Sequence, residues 1–249
     1  MPLIKARLRP RLFVYNLFTQ EKVLAQLRRL GLLGLAMKHT PILLLTLVAA
    51  SASAAVGGSG LNYDRLGIGY SSDDSRNTVA LAGSAQLGDS GFIVSGSYGD
   101  VSADFNGFSG NEVTYGLGYK FSVGSGDLLI GYSYAQGQYT YIDESAAAAA
   151  SGEEKGFGIE YRQAISSNIE FSVGYQRIKT SGLGVGVADT DGDGDLDTVV
   201  AGADSLNNNV INVGLRYNVN KNFDISLNYA FKKDEVGGNK FGVSAGYSF

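Results

Sequence analysis

The chain ends on Lys240-Phe241-Gly242-Val243-Ser244-Ala245-Gly246-Tyr247-Ser248-Phe249. Phe241, Val243, Ala245, Tyr247 and Phe249 are apolar, and the residues between them are polar or tiny. Successive side chains of a strand point to opposite faces, so the segment reads as a strand with one greasy face and one small, polar face. Its length suits a tilted strand that crosses a bilayer. The same alternation recurs upstream. Phe223, Ile225, Leu227, Tyr229 and Phe231 alternate with Asp224, Ser226, Asn228 and Ala230. Val113, Tyr115, Leu117, Tyr119 and Phe121 alternate with Thr114, Gly116, Gly118 and Lys120. Charges fall on the polar face. Apolar residues turned to lipid and polar residues turned to a lumen give this sign of pattern.

The 249 residues carry a formal charge of −4, which hides an asymmetry. Residues 1–54 hold eight Lys/Arg and one acid, net +7, whereas residues 55–249 hold twelve Lys/Arg and 23 acids, net −11. A basic head on an acidic body predicts a targeting segment. Met37-Lys38-His39-Thr40, the apolar run from Pro41 to Val48 and the small residues from Ala49 to Ala54 read as a signal peptide over 37–54, cleaved after Ala54. Residues 1–36 read as a start placed too early or as an extended leader. The mature domain is then 55–249. No apolar run reaches the roughly 18 residues of a membrane helix. The chain has no Cys and no Trp, so it forms no disulfide, and any aromatic belt is built from Tyr and Phe.

Ten strand segments follow from the alternation: 62–71, 77–88, 91–103, 112–123, 127–142, 153–165, 168–180, 208–220, 222–233 and 239–249. Tight turns rich in Gly, Asn and Asp, such as Gly88-Asp89-Ser90-Gly91 and Gly124-Ser125-Gly126, alternate with longer connections at Asn106–Gly110, Glu144–Gly152 and Ala188–Asn207. Short turns at one end and long loops at the other predict an all-β fold: a closed antiparallel up-and-down transmembrane barrel with both termini on the periplasmic side. The alanine run Ala146–Ala150 is expected in a surface loop, with one helical turn as an option.

The leader, the amphipathic strands, the recurring Gly-Tyr pieces (Gly67 to Tyr70, Gly116 to Tyr119, Gly131-Tyr132, Gly174-Tyr175, Gly246-Tyr247) and the terminal Tyr247-Ser248-Phe249 resemble small outer-membrane β-barrels of Gram-negative bacteria, of the OmpA/OmpX type or the opacity-type porin family. Eight strands are usual in those families, so eight is the alternative to ten. The resemblance implies a bacterial outer-membrane location and a monomer among outer-membrane lipids and lipopolysaccharide. It also implies an assembly signal at Tyr247 and Phe249 for the barrel-assembly machinery.

An enzyme is not expected. The only His is His39, in the leader, and a nucleophilic Ser needs an adjacent base. The acidic mature chain excludes nucleic acid as a partner. No cofactor is required. Strand parity turns Arg65, Lys120, Glu160, Arg162, Glu170, Gln176, Arg216, Asp224 and Lys240 inward, where charges of both signs either pair in a packed core or line a narrow wet pore. Asp189-Thr190-Asp191-Gly192-Asp193-Gly194-Asp195-Leu196-Asp197 matches the start of a calcium loop, with Asp189, Asp191, Asp193 and Asp197 offering carboxylates and Asp195 its carbonyl. Val200 stands where the closing Glu belongs, so Asp204 is the expected substitute and a weak Ca2+ affinity is expected, the alternative being a solvated acidic loop tip that needs no ion. The function expected is structural or that of a narrow pore for small solutes and ions. The alternative is an adhesion or binding protein that uses the barrel as a pedestal for acidic, calcium-binding loops.

Overall fold

The computed structural model describes residues 14–15, 61–73, 76–103, 107–142, 146–188, 198–232 and 238–249. Ten strands close into a barrel: β1 (Arg65–Ser72), β2 (Arg76–Gln86), β3 (Phe92–Ala103), β4 (Phe108–Val123), β5 (Gly126–Ile142), β6 (Ala146–Ala164), β7 (Ile169–Ala188), β8 (Thr198–Asn218), β9 (Phe223–Lys232) and β10 (Lys240–Ser248). Each pairs antiparallel with the next, and β10 returns to β1 with Phe241 opposite Ser72 and Ser248 opposite Arg65. Closure leaves the sheet no free edge in the hydrocarbon, where an unpaired backbone group is costly. Val14–Tyr15 form a two-residue strand beside Val199 and Val200.

The tight turns gather at one end, with Gly88 and Gly124 at φ of 57° and 62°, a backbone that glycine adopts without steric cost. Residues 61–64 and Phe249 lie at the same end. The wall is uneven in height. β1, β9 and β10 have 8, 10 and 9 residues, enough for one crossing. β6, β7 and β8 have 19, 20 and 21. The ladder between β8 and β9 stops at Val210–Lys232, so Thr198–Asn209 rises beyond β9 while staying paired with β7.

This overturns two expectations. Ala146–Ala150 is strand, not loop or helix, because every alanine in it is hydrogen-bonded into the β7 register and Ala147–Ala150 also into that of β5. The ladder outweighs the helix preference of alanine. The connection expected over Ala188–Asn207 shrinks as well, since strand resumes at Thr198.

The outer face is apolar over the belt height: Ile68, Leu117, Phe157, Leu215, Leu227 and Phe241 are all exposed, Phe157 by 61%. Rings cluster near the turn end, where Phe92–Tyr119, Tyr119–Phe121 and Phe223–Tyr247 sit 4.9, 4.8 and 5.1 Å apart. Tyr229 and Phe231 pack at 4.5 Å toward the other end of β9. These are the two aromatic girdles of a membrane barrel, built here without tryptophan. On β6 and β7 the outward face turns charged above Phe157, with exposed Lys155, Arg177 and Lys179, which marks the upper limit of the belt. Among the described residues, a small apolar cluster lies in the interior: Leu61, Tyr63 and Ile93, with Leu129 packed against them.

Candidate functional site

The turn end of the lumen is crossed by a chain of ion pairs that the ladder register assembles. Glu170 on β7 stands directly opposite Arg216 on β8, and Arg216 opposite Ser226 on β9. Arg65 of β1 grips Asp224 of β9 through Nη2 at 2.7 Å and Nε at 2.9 Å, reaching over β10. The reach is open because position 246 is glycine; a Cβ there would run into the Arg65 guanidinium. Ser226 Oγ donates to Asp224 at 3.2 Å. Arg216 stands between the two acids, 3.9 Å from Asp224 and 3.4 Å from Glu170. Glu170 accepts from Arg162 Nη2 of β6 at 2.6 Å and from Asn218 Nδ2 at 3.2 Å. The sequence Arg65–Asp224–Arg216–Glu170–Arg162 thus links five strands. Each charge in this chain of ion pairs has an opposite charge within reach, and most have further hydrogen bonds, the condition for keeping charges in a low-dielectric interior.

Residues 61–64, just ahead of β1, fold into the mouth that this layer leaves. Tyr63 is 4% exposed, and its hydroxyl donates to Asp127 Oδ2 of β5 at 2.9 Å. Ser122 Oγ donates to the other oxygen of Asp127, which is fully buried. Two cations face the Tyr63 ring: Arg162 4.5 Å and Lys120 Nζ 5.0 Å from its centroid. Lys120 Nζ is buried without a hydrogen-bond partner among the described residues, and the ring face compensates its charge. Burial pushes the Tyr63 phenol well above its ordinary value, with Asp127 adding to the shift and Arg162 opposing it. The phenol therefore stays a donor across the working pH range. The backbone of the segment is pinned from three sides. Ser84 Oγ of β2 donates to the Tyr63 carbonyl at 2.7 Å, Arg216 Nη1 to the Asn62 carbonyl at 3.4 Å, and Phe249 N to the Asp64 carbonyl at 3.3 Å. Gln86 N donates to Asp64 Oδ1 at 2.9 Å.

Above this layer the lumen opens into chambers. One of about 150 Å³ is lined by Arg65, Glu160, Arg162, Arg216, Asn228 and Ser244. A second, about 230 Å³, lies among Ser95, Gly116, Ser133, Glu160, Gln176 and Asn212. A third, about 250 Å³, is bounded by Arg65, Ser84, Ser95, Ser97 and Thr114. They share Arg65, Ser95 and Glu160, so they adjoin. Many inward positions here are glycine or short polar residues, with Ile93 and Leu129 as apolar exceptions, and Gln176 reaches across to donate to Ser133 Oγ at 2.8 Å. A second charged layer lies toward the long-loop end. Asp73 pairs with Arg76 at 3.2 Å and Lys232 at 3.9 Å, while Glu112 lies near Arg76, Glu154 and Lys240.

The structure thus brings together Arg65, Lys120, Arg162, Glu170, Arg216 and Asp224 around one mouth, sets Glu160 and Gln176 in the chambers, and carries Lys240 to the opposite layer. Tyr247 and Phe249 lie on the outer wall, exposed, with ring centroids 6.4 Å apart. The calcium-loop residues Asp189, Asp191, Asp193, Asp195 and Asp197, and the leader over 37–54, lie outside the described residues; among the described residues no group of three or more His, Cys, Asp or Glu could hold a metal ion. Sequence reasoning missed Tyr63, Asp127 and the Glu112–Glu154 layer. Inward parity within β5 would have given Asp127. Nothing local in the sequence marks Tyr63 as the residue that fills the mouth.

Residues 45–183, more than half of the chain, match the family model described as Gram-negative porin. The chain belongs to that porin family. A bacterial outer-membrane location follows from the family and the barrel. Among solved structures, the chain is similar to the KdgM porin at 14% identity, covering 74% of this chain and 99% of that one with a TM-score of 0.38. It is also similar to an outer-membrane channel from Pseudomonas putida F1 at 11% identity, covering 79% and 97% with a TM-score of 0.39. The translocator domain of the autotransporter NalP from Neisseria meningitidis is 12% identical, with 92% and 98% covered and a TM-score of 0.38. A search of curated protein sequences finds no match.

Proposed function

We propose that this porin-family barrel is a narrow diffusion pore for small polar solutes and ions. The observation that carries the reading is the run of adjoining chambers, about 150 to 250 Å³ each, lined by Ser, Gly, Asn, Gln and paired charges together with apolar residues such as Ile93 and Leu129. A purely structural barrel of this width would fill its interior with side chains. Here charged layers cross the lumen at the turn end and toward the long-loop end, and the chambers lie between them. Both charged layers carry acids and bases in comparable number, so neither sign of ion is strongly excluded. The roles of this chain's residues are then physical rather than catalytic: they keep the lumen wet, hold its width and screen passing charge. Outer-membrane lipids and lipopolysaccharide surround the belt in this reading, and Tyr247 and Phe249 present the assembly signal.

Reconstitution of the refolded barrel in planar bilayers tests the proposal. Small, stepwise currents are expected. A folded, heat-modifiable barrel that inserts and carries no current would leave a structural role in place of the pore.

A further inference from the structure

We propose that Tyr63, carried on residues 61–64, is the residue that sets the size limit of the pore. The inference rests on the pore reading and names where its narrowest point lies. Three observations lead to it. First, residues 61–64 lead into β1 without being strand themselves, yet they are held by side chains from β2, β5 and β8 and by the backbone of Phe249. Contacts to so many staves of one barrel place the segment across the opening, not along the wall. Second, Tyr63 is 4% exposed, and its ring lies between Lys120 of β4 and Arg162 of β6. Third, the segment has no ladder of its own. Each attachment is a single hydrogen bond or ring contact, whereas every neighbouring strand has continuous backbone pairing. The stopper is therefore a part separate from the wall, and its removal leaves the ten-strand ladder complete, because the β10–β1 pairing begins at Arg65.

The charge arrangement around the ring gives the constriction its chemistry. Arg162 keeps Glu170 whether or not Tyr63 is present, and Asp127 keeps Ser122. Among the described residues, the Lys120 ammonium has the ring and no hydrogen-bond partner. Loss of Tyr63 would bare the Lys120 ammonium and the Asp127 carboxylate together, so the passage should widen without a large change in ion selectivity.

The test compares three forms of the refolded barrel in planar bilayers with potassium chloride: the chain from Ala55, the variant Tyr63→Ala, and a chain starting at Asp64. A gel-mobility shift on heating checks the fold of each. Conductance should rise at least about twofold in Tyr63→Ala and further in the shortened chain, since one aromatic ring is a large share of so small a lumen. Exclusion of polyethylene glycols added to the bath should shift to larger polymers in the same order, while reversal potentials should move little. Tyr63→Phe keeps the ring and should conduct like the native chain. If Tyr63→Ala fails to fold, the shortened chain carries the test alone. Native and variant barrels that conduct equally would overturn the constriction and leave the pore standing. Folded barrels that are all silent would overturn both.

Discussion

The turn-end lumen and the projecting wall of β6, β7 and β8 are built on one backbone pattern and do opposite things with it. Both are antiparallel ladders with complete hydrogen bonding. At the turn end the inward positions hold Arg65, Arg162, Glu170, Arg216 and Asp224, tied into a chain that fixes the interior. In the projecting wall the facing positions are Ala150, Gly184 and Gly202, which add almost nothing beyond the ladder. The backbone decides that both are sheet; the inward side chains decide which end is specified. Stability and specificity should therefore be concentrated near the turns, and tolerance to change near the top.

The largest effect expected is for Arg65→Met. It strips Asp224, 3% exposed, of its bidentate partner, leaving Arg216 at 3.9 Å and the Ser226 hydroxyl at 3.2 Å. Loss of one partner of a buried pair costs about 3–5 kcal/mol. Unfolding in urea, followed by gel mobility, measures it, and a cost near zero would mean that this lumen is solvated to the turns. Arg216→Met should cost less, about 1–3 kcal/mol, because Glu170 keeps Arg162 and Asn218 while Asp224 keeps Arg65. The order of the two variants is the sharper test, since equal costs would show that the chain acts as one unit rather than as overlapping pairs. Ala150→Ser, in the projecting wall, should change stability by less than about 0.5 kcal/mol. A cost as large as that of Arg216→Met would erase the contrast between the two regions.

Much of this was legible in the sequence wherever the period was two. Phe223 to Phe231 and Phe241 to Phe249 give strand, face and membrane crossing together, because lipid on one side and a polar lumen on the other leave no other register. The inward charges are legible for the same reason. The height of β6 to β8 is not. Ala146–Ala150 shows no apolar–polar alternation, so nothing in it selects the period, and the alternation of Leu183 and Val185 with Gly182, Gly184 and Gly186 is too short to set the length of the strand. Tyr63 was hidden differently. Its partners Ser84, Lys120, Asp127 and Arg162 lie 21 to 99 positions away, and only the closed barrel brings them to one point.

The seam between β10 and β1 carries a consequence for the speed of assembly. Its partners come from opposite ends of the domain: Arg65 and Asp224 are 159 positions apart in the chain. Loop closure over that span must be accomplished before the last ladder rewards it, which makes the joining step intrinsically slow. Until then two bare strand edges face the hydrocarbon. The same arithmetic protects the finished molecule. Arg65 reaches over β10 to Asp224, so the seam cannot part until that clasp has been undone. Its release should then limit the rate at which the barrel comes apart, and Arg65→Met should shorten the lifetime of the closed barrel.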